Sequence, residues 1–188
     1  MMVNTRTVVY LFSVAILVTA LLVIAAHYLR RARRSSRNDW ENLLKRLTAV
    51  DRSSIAEVAL DIIDESGQQR RDEGSATLDA AQIWKLVGGL DGLEVLAANC
   101  AVLIDLAFYV QQWYPEALLV TEQMRLSARE IQWHVERLRG AKRTGKLESA
   151  FPMYAQRAVA TYYLMTRRLL ALYELGNHVM LADLEKAI

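Results

Sequence analysis

The chain has 188 residues and a formal net charge of +2, but the charge is unevenly spread: residues 1–37 carry six arginines and no acid, and the remainder carries 17 basic and 21 acidic residues, a net of −4. A folded part of that sign lacks the basic face of a nucleic-acid binder, so nucleic acid is excluded as a partner. The single cysteine, Cys100, excludes a disulfide within the chain and fits a reducing compartment.

The first predicted element is a transmembrane helix over 8–29, VVYLFSVAILVTALLVIAAHYL, which holds no Asp, Glu, Lys or Arg. At 1.5 Å rise per residue it is about 33 Å long, enough to cross a bilayer core of about 30 Å. A cleaved signal peptide would have a shorter apolar run and a small residue at Ile24, where a cleavage site would need one. A buried core helix would carry a polar stripe. Arg30, Arg31, Arg33, Arg34 and Arg37 form a basic neck over 30–37, against Arg6 before the span. Basic flanks stay in the cytoplasm, so residues 1–7 are expected outside and 38–188 inside. Seven outward residues are too few for a ligand-binding ectodomain, which argues against a receptor of that kind. The neck has charge enough to contact anionic lipid, although orientation alone accounts for it.

Past the neck every strong signal is helical. Asn38 or Asp39 is placed to cap a helix whose apolar face is Trp40, Leu43, Leu44, Leu47 and Val50. Ser54 and Glu57 have capping-box spacing, and Ile55, Val58, Ala59, Ile62 and Ile63 form the next face. Residues 66–77, SGQQRRDEGSAT, read as a mobile surface loop. Helical sequence resumes near Leu78 or Asp79 with Ile83, Trp84, Leu86 and Val87, and Gly88, Gly89 and Gly92 interrupt it. The run 93–110 is apolar nearly all round, the mark of a central buried helix. Glu94, Asn99 and Asp105 argue against a second span, since an Asp at mid-membrane costs about 2.5–3.5 kcal/mol.

Tyr114-Pro115 ends or kinks that helix, and Pro115 is placed to open the next. Val120, Met124, Ser127, Ile131, His134 and Leu138 follow at alternating spacings of four and three, a heptad-like stripe that Leu119, Leu126 and Trp133 are expected to widen. Gly140 is expected to cap this helix, and 140–149 to form a basic loop. Pro152 then opens a helix to about Leu175, with Val159, Tyr162, Leu169 and Tyr173 on one face, and a short tail helix follows Gly176-Asn177.

Chemistry is thinly signalled. Glu130 with His134, and Glu174 with His178, are one turn apart and could share a metal. No HExxH, CxxC or paired Glu-x-x-His accompanies them, so no metal, cofactor or catalytic residue is assigned. Cys100 sits in an apolar run, as an inert core thiol would. Glu94, Asn99, Asp105 and His134 are the candidate buried polar residues. They are expected to meet arginines such as Arg157 or Arg168 and set the bundle's register, or to line a ligand cavity. His134 is expected to pack along the stripe with a hydrogen bond. Trp84, Trp113, Tyr114, Trp133, Tyr154, Tyr162 and Tyr163 are mostly expected in the core or at interfaces.

The expectation is an all-α protein: one N-terminal transmembrane helix, then a cytoplasmic helical bundle over 38–188. Its function reads as a single-pass, membrane-held interaction or scaffold protein, with the bilayer and either a protein partner or a second copy as partners. The alternative is a membrane-tethered enzyme or small-ligand-binding bundle.

Overall fold

The computed structural model describes residues 14–26, 40–64, 66–68, 77–176 and 178–188. The described residues form eight α-helices and no strand. They are α1 (Val14–Ala26), α2 (Trp40–Lys45), α3 (Arg52–Leu60), α4 (Ala80–Val87), α5 (Gly89–Val110), α6 (Ala117–Arg143), α7 (Leu147–Gly176) and α8 (His178–Ala187). The chain divides into two compact units, 1–38 and 39–188.

In the first unit, α1 covers the middle of the 8–29 apolar run, and every one of its residues is exposed. The flanks of that run, the arginine neck, and the Asn38 or Asp39 cap lie outside the described residues, as does most of the 66–77 loop.

The second unit is an antiparallel bundle. Its three long helices, α5, α6 and α7, pack against one another, and α2, α3, α4 and α8 cover the remaining sides. Leu93, Leu96, Leu103 and Leu106 of α5 are fully buried, together with Met124, Ile131 and Leu138 of α6 and Phe151, Tyr162, Met165, Leu169 and Tyr173 of α7. Helix α5 is also the one helix among the described residues long and apolar enough to cross a membrane. Its apolar stretch is 61% buried, so protein covers most of the surface that lipid would otherwise have to cover. That agrees with its reading as the central helix of a bundle.

Local chemistry explains the joints. Asp51 caps α3: its carboxylate accepts from the Ser53 amide at 3.0 Å and from the Ser53 and Ser54 hydroxyls at 2.7 and 2.6 Å. The cap therefore falls three residues before the expected Ser54. The stretch 46–50, expected to extend α2, is instead the bend into α3. Asp79 and Gln82 form a reciprocal capping box at the start of α4. Between α4 and α5 the chain reverses within Gly88 (φ 77°) and Gly89 (φ 67°). Gly92 then lies so close to the end of α4 that a Cβ would stand 1.8 Å from the Val87 carbonyl oxygen. No residue but glycine fits there without backbone movement.

Two further expected boundaries are displaced. Gly140 does not end α6, which continues to Arg143 and closes at Thr144, with Gly145 left-handed at φ 70°. The expected ten-residue basic loop is thus a short turn, because Ala141, Lys142, Arg143 and Leu147 are adequate helix formers. Pro152 lies inside α7, which begins at Leu147. As the sixth residue of the helix it lies past the first turn, so it forgoes the hydrogen bond to the Glu148 carbonyl, a local cost outweighed by the burial of the long helix that follows.

Candidate functional site

The candidate polar residues do not meet in one place. Asn99 is buried on α5 and acts as a backbone clamp: its Oδ1 accepts from the Thr48 amide at 2.9 Å and its Nδ2 donates to the Thr48 carbonyl at 2.8 Å. The same Nδ2 donates to the Tyr162 hydroxyl at 3.4 Å. One side chain thereby fastens the α2–α3 bend to the core and to α7. Burial, only partly offset by that amide, pushes the Tyr162 hydroxyl up to about 12.

Glu94 and Asp105 lie nearer the surface, and their partners differ from those expected. Arg139 of α6 donates to Glu94 at 2.9 Å, and Arg46 beyond α2 donates to Asp105 at 3.1 Å. Neither Arg157 nor Arg168 takes these roles. Both pairs join α5 to a neighbouring segment. They are partly exposed, so each contributes little stability.

His134 is the least satisfied of the four. It is buried on α6 against the rings of Trp133 and Tyr154, at centroid distances of 5.0 and 5.7 Å, and those two rings also touch each other at 5.8 Å. The hydrogen bond expected for it is not made: neither ring nitrogen has a hydrogen-bond partner, and Nε2 meets the Glu130 carboxylate only at ion-pair distance, 3.7 Å. Burial holds its pKa below the ordinary histidine value, Glu130 opposes that shift and Arg157 reinforces it. Glu174 and His178 are on different helices, because α7 ends at Gly176. Among the described residues no three His, Cys, Asp or Glu side chains gather as metal ligands would. Cys100 is buried, donates to the Leu96 carbonyl at 3.1 Å, and has a thiol pushed up to about 12 by burial. Such a thiol is inert.

Two further groups hold the bundle together. Asp61, buried at the end of α3, accepts from the Thr77 amide and hydroxyl at 2.7 and 2.8 Å and from Gln156 of α7 at 2.9 Å. Trp40 packs between Tyr109 and Tyr173, and the Tyr173 hydroxyl donates to the Leu106 carbonyl at 3.0 Å. An apolar start to α2 hinted at the second group; nothing in the spacing marked Asp61.

Two clefts of about 190 and 170 Å³ flank the α2–α3 bend, and both include Val50 and Ile55 in their walls. Small-molecule sites run from roughly 300 Å³ upward.

The feature with most unexplained surface is the outer face of α6. The heptad-like stripe is inside as expected, with Met124, Ser127, Ile131, His134 and Leu138 buried. The three residues expected to widen it face outward instead. Leu119 is 68% exposed, Leu126 65% and Trp133 49%, and a Cβ built on Gly140 meets nothing within 4 Å. The inner face is completed instead by Ala117, Thr121, Ala128 and Val135. Trp84 and Trp113 are also half-exposed. The Arg137 guanidinium lies over the Trp133 ring, 4.9 Å from its centroid.

No protein-family model matches the chain, and neither a curated protein nor a solved structure does.

Proposed function

We propose that the protein is a single-pass, membrane-anchored interaction module, its N-terminus outside and its helical bundle at the cytoplasmic face, where the bundle docks another protein chain. The observation that carries this reading is the pair of apolar surfaces left uncovered: all of α1, and the row Leu119, Leu126 and Trp133 on α6. Uncovered apolar surface in regular helical array marks a site of contact with lipid or protein. The apolar run of 8–29 has the length for lipid, and the arginines that follow it supply the orientation. The outer face of α6 alternates large apolar and charged residues, which suits a helical protein partner rather than lipid. The row of large apolar residues on α6 favours a protein partner, and a membrane-tethered enzyme or small-ligand-binding bundle is the alternative.

Alkaline extraction of membranes carrying the full chain tests the anchor. Retention in the pellet, with a protease-accessible C-terminal tag only after the inner face is opened, supports it; release into the supernatant overturns it. Native mass spectrometry of the full chain ejected from micelles tests the rest. An oligomer or a co-purified protein supports the interaction role. A monomer carrying a stoichiometric small molecule supports the ligand-binding alternative.

A further inference from the structure

The chain enters the bundle at one end. Trp40, at the start of α2, packs on Tyr109 and Tyr173 at ring distances of 5.7 and 5.4 Å. Tyr109 is the penultimate residue of α5, and Tyr173 lies in the last turn of α7. The entry is therefore at the end of the bundle where α5 and α7 finish and α6 and α8 begin. Residues 30–39 separate it from Leu29, the end of the apolar run. At no more than about 3.6 Å per residue, that segment spans at most about 40 Å. The α6–α7 turn is the opposite end: from Tyr173 back to Leu147, α7 alone runs about 39 Å.

The entry end carries apolar side chains turned outward. Trp113 stands in the α5–α6 turn, its ring edge-on to Tyr109 at 5.1 Å, and is 40% exposed. Leu118 in the first turn of α6 is 49% exposed, Leu175 in the last turn of α7 74%, and Val179 in the first turn of α8 86%. They come from four segments and form no continuous stripe of the kind a partner helix would take. Separate apolar tips around a tryptophan suit a bilayer interface, where lipid has no fixed shape to match and tryptophan is favoured at headgroup level. Exposed acids, Glu41, Glu116 and Glu174, stand beside them, so attraction to anionic headgroups does not drive the contact. An electrostatic contact would choose the opposite end, where Lys142, Arg143 and Lys146 are exposed.

We infer that the entry end of the bundle seats on the lipid bilayer, with Trp113, Leu118, Leu175 and Val179 dipping into the interface. The inference rests on the proposed anchor. Tethering keeps this end within about 40 Å of lipid in every orientation of the bundle, while the opposite end is free to stand roughly twice as far off. Held so close, a small apolar contact suffices, because the effective concentration of lipid is high.

Depth quenching of the full chain in nanodiscs of neutral phosphatidylcholine tests the seat. Wild-type Cys100 is buried and gives the blank. An environment-sensitive fluorophore on Leu175→Cys should be quenched by spin-labelled lipid and shielded from aqueous iodide. The same fluorophore on Thr144→Cys, at the α6–α7 turn, should behave in the reverse way. Lipid quenching should differ at least about twofold between the two, since interfacial side chains reach roughly 5–10 Å into the boundary. It should persist from about 0.1 to about 1 M salt, over which the screening length falls from about 10 to about 3 Å. Leu118→Glu/Val179→Glu changes two exposed sites and should release the Leu175 probe while leaving the melting temperature near that of wild type.

Equal lipid quenching at the two positions, or stronger quenching at Thr144, overturns the inference, as does a seat lost in high salt. A Leu175 probe shielded from both quenchers, with another protein co-purified, gives this end to a protein partner and overturns it as well. A double variant that keeps wild-type quenching does the same; if that variant misfolds, the two probes in the wild-type background decide alone. An unquenched Leu175 probe in a chain that resists alkaline extraction leaves the anchor standing without the seat. Release by alkali removes the anchor and the inference with it.

Discussion

Asn99→Asp replaces one atom of a buried clamp and probes how the α2–α3 bend is held. The wild-type amide offers one acceptor and one donor to Thr48, at 2.9 and 2.8 Å. The aspartate keeps the acceptor and substitutes an anionic oxygen for the donor, facing the Thr48 carbonyl oxygen. Losing the Nδ2 bond costs about 1 kcal/mol. Holding a carboxylate there, in a side chain 2% exposed and against a carbonyl dipole, adds about 2 kcal/mol or more. The sum at pH 7, about 3 kcal/mol, is a large part of a marginal fold's stability. The sign of the pH dependence follows. Burial and the facing carbonyl raise the folded-state pKa of the new carboxyl above its unfolded value of about 3.9. The deficit is therefore small below pH 4, where the neutral acid donates to Thr48, and grows as pH rises through the folded-state pKa. Urea unfolding of the full chain in mild detergent, followed by tryptophan fluorescence at pH 4 and pH 7, measures both limbs. A variant within 0.5 kcal/mol of wild type at pH 7 on that roughly ±0.5 kcal/mol surface-substitution scale, or equally weak at both pH values, refutes the clamp.

Gly92→Ala and Gly140→Ala should move in opposite directions. The first drives a Cβ into the Val87 carbonyl and should cost at least about 3 kcal/mol, read as a large fall in melting temperature or loss of soluble expression. The second fills open space in a helix interior and should add up to about 1 kcal/mol in the same melt. Tyr173→Phe removes the donor to the Leu106 carbonyl inside the core and should cost about 1–2 kcal/mol in urea unfolding. His134→Phe should flatten the acid limb of the stability profile. The buried imidazole has a depressed folded-state pKa, so its contribution is present above pH of about 6.5 and lost as pH falls through the folded-state value. An unchanged acid limb in the variant removes His134 as its cause.

Local periodicity and composition carry those features that lie along the chain. The apolar run at 8–29 and the arginines after it stand out because the requirement is one of length and charge along the chain. The all-helical bundle was legible because buried faces repeat every three or four residues; Met124, Ile131 and Leu138 lie inside as their spacing requires. The break at Gly88-Gly89 was equally legible, since positive φ is a local property. Boundaries set by the neighbours' packing were not: Gly140 and Pro152 read as punctuation, and both lie inside helices.

Which way an ambiguous helix faces, and which polar groups meet, is set by packing in three dimensions. Helix α6 is apolar on two flanks of its stripe, and spacing alone could not tell Leu126 from Ala128. Packing against α5 and α7 admits the small Ala117, Ala128 and Val135 and turns Leu119, Leu126 and Trp133 outward. Likewise Asn99 closes on Thr48, Glu94 on Arg139 and Asp61 on Gln156 across separations of 51, 45 and 95 residues. Hydrogen bonds are satisfied by whatever the fold brings within about 3 Å. A pattern with a period of a few residues carries no record of a contact made that far along the chain.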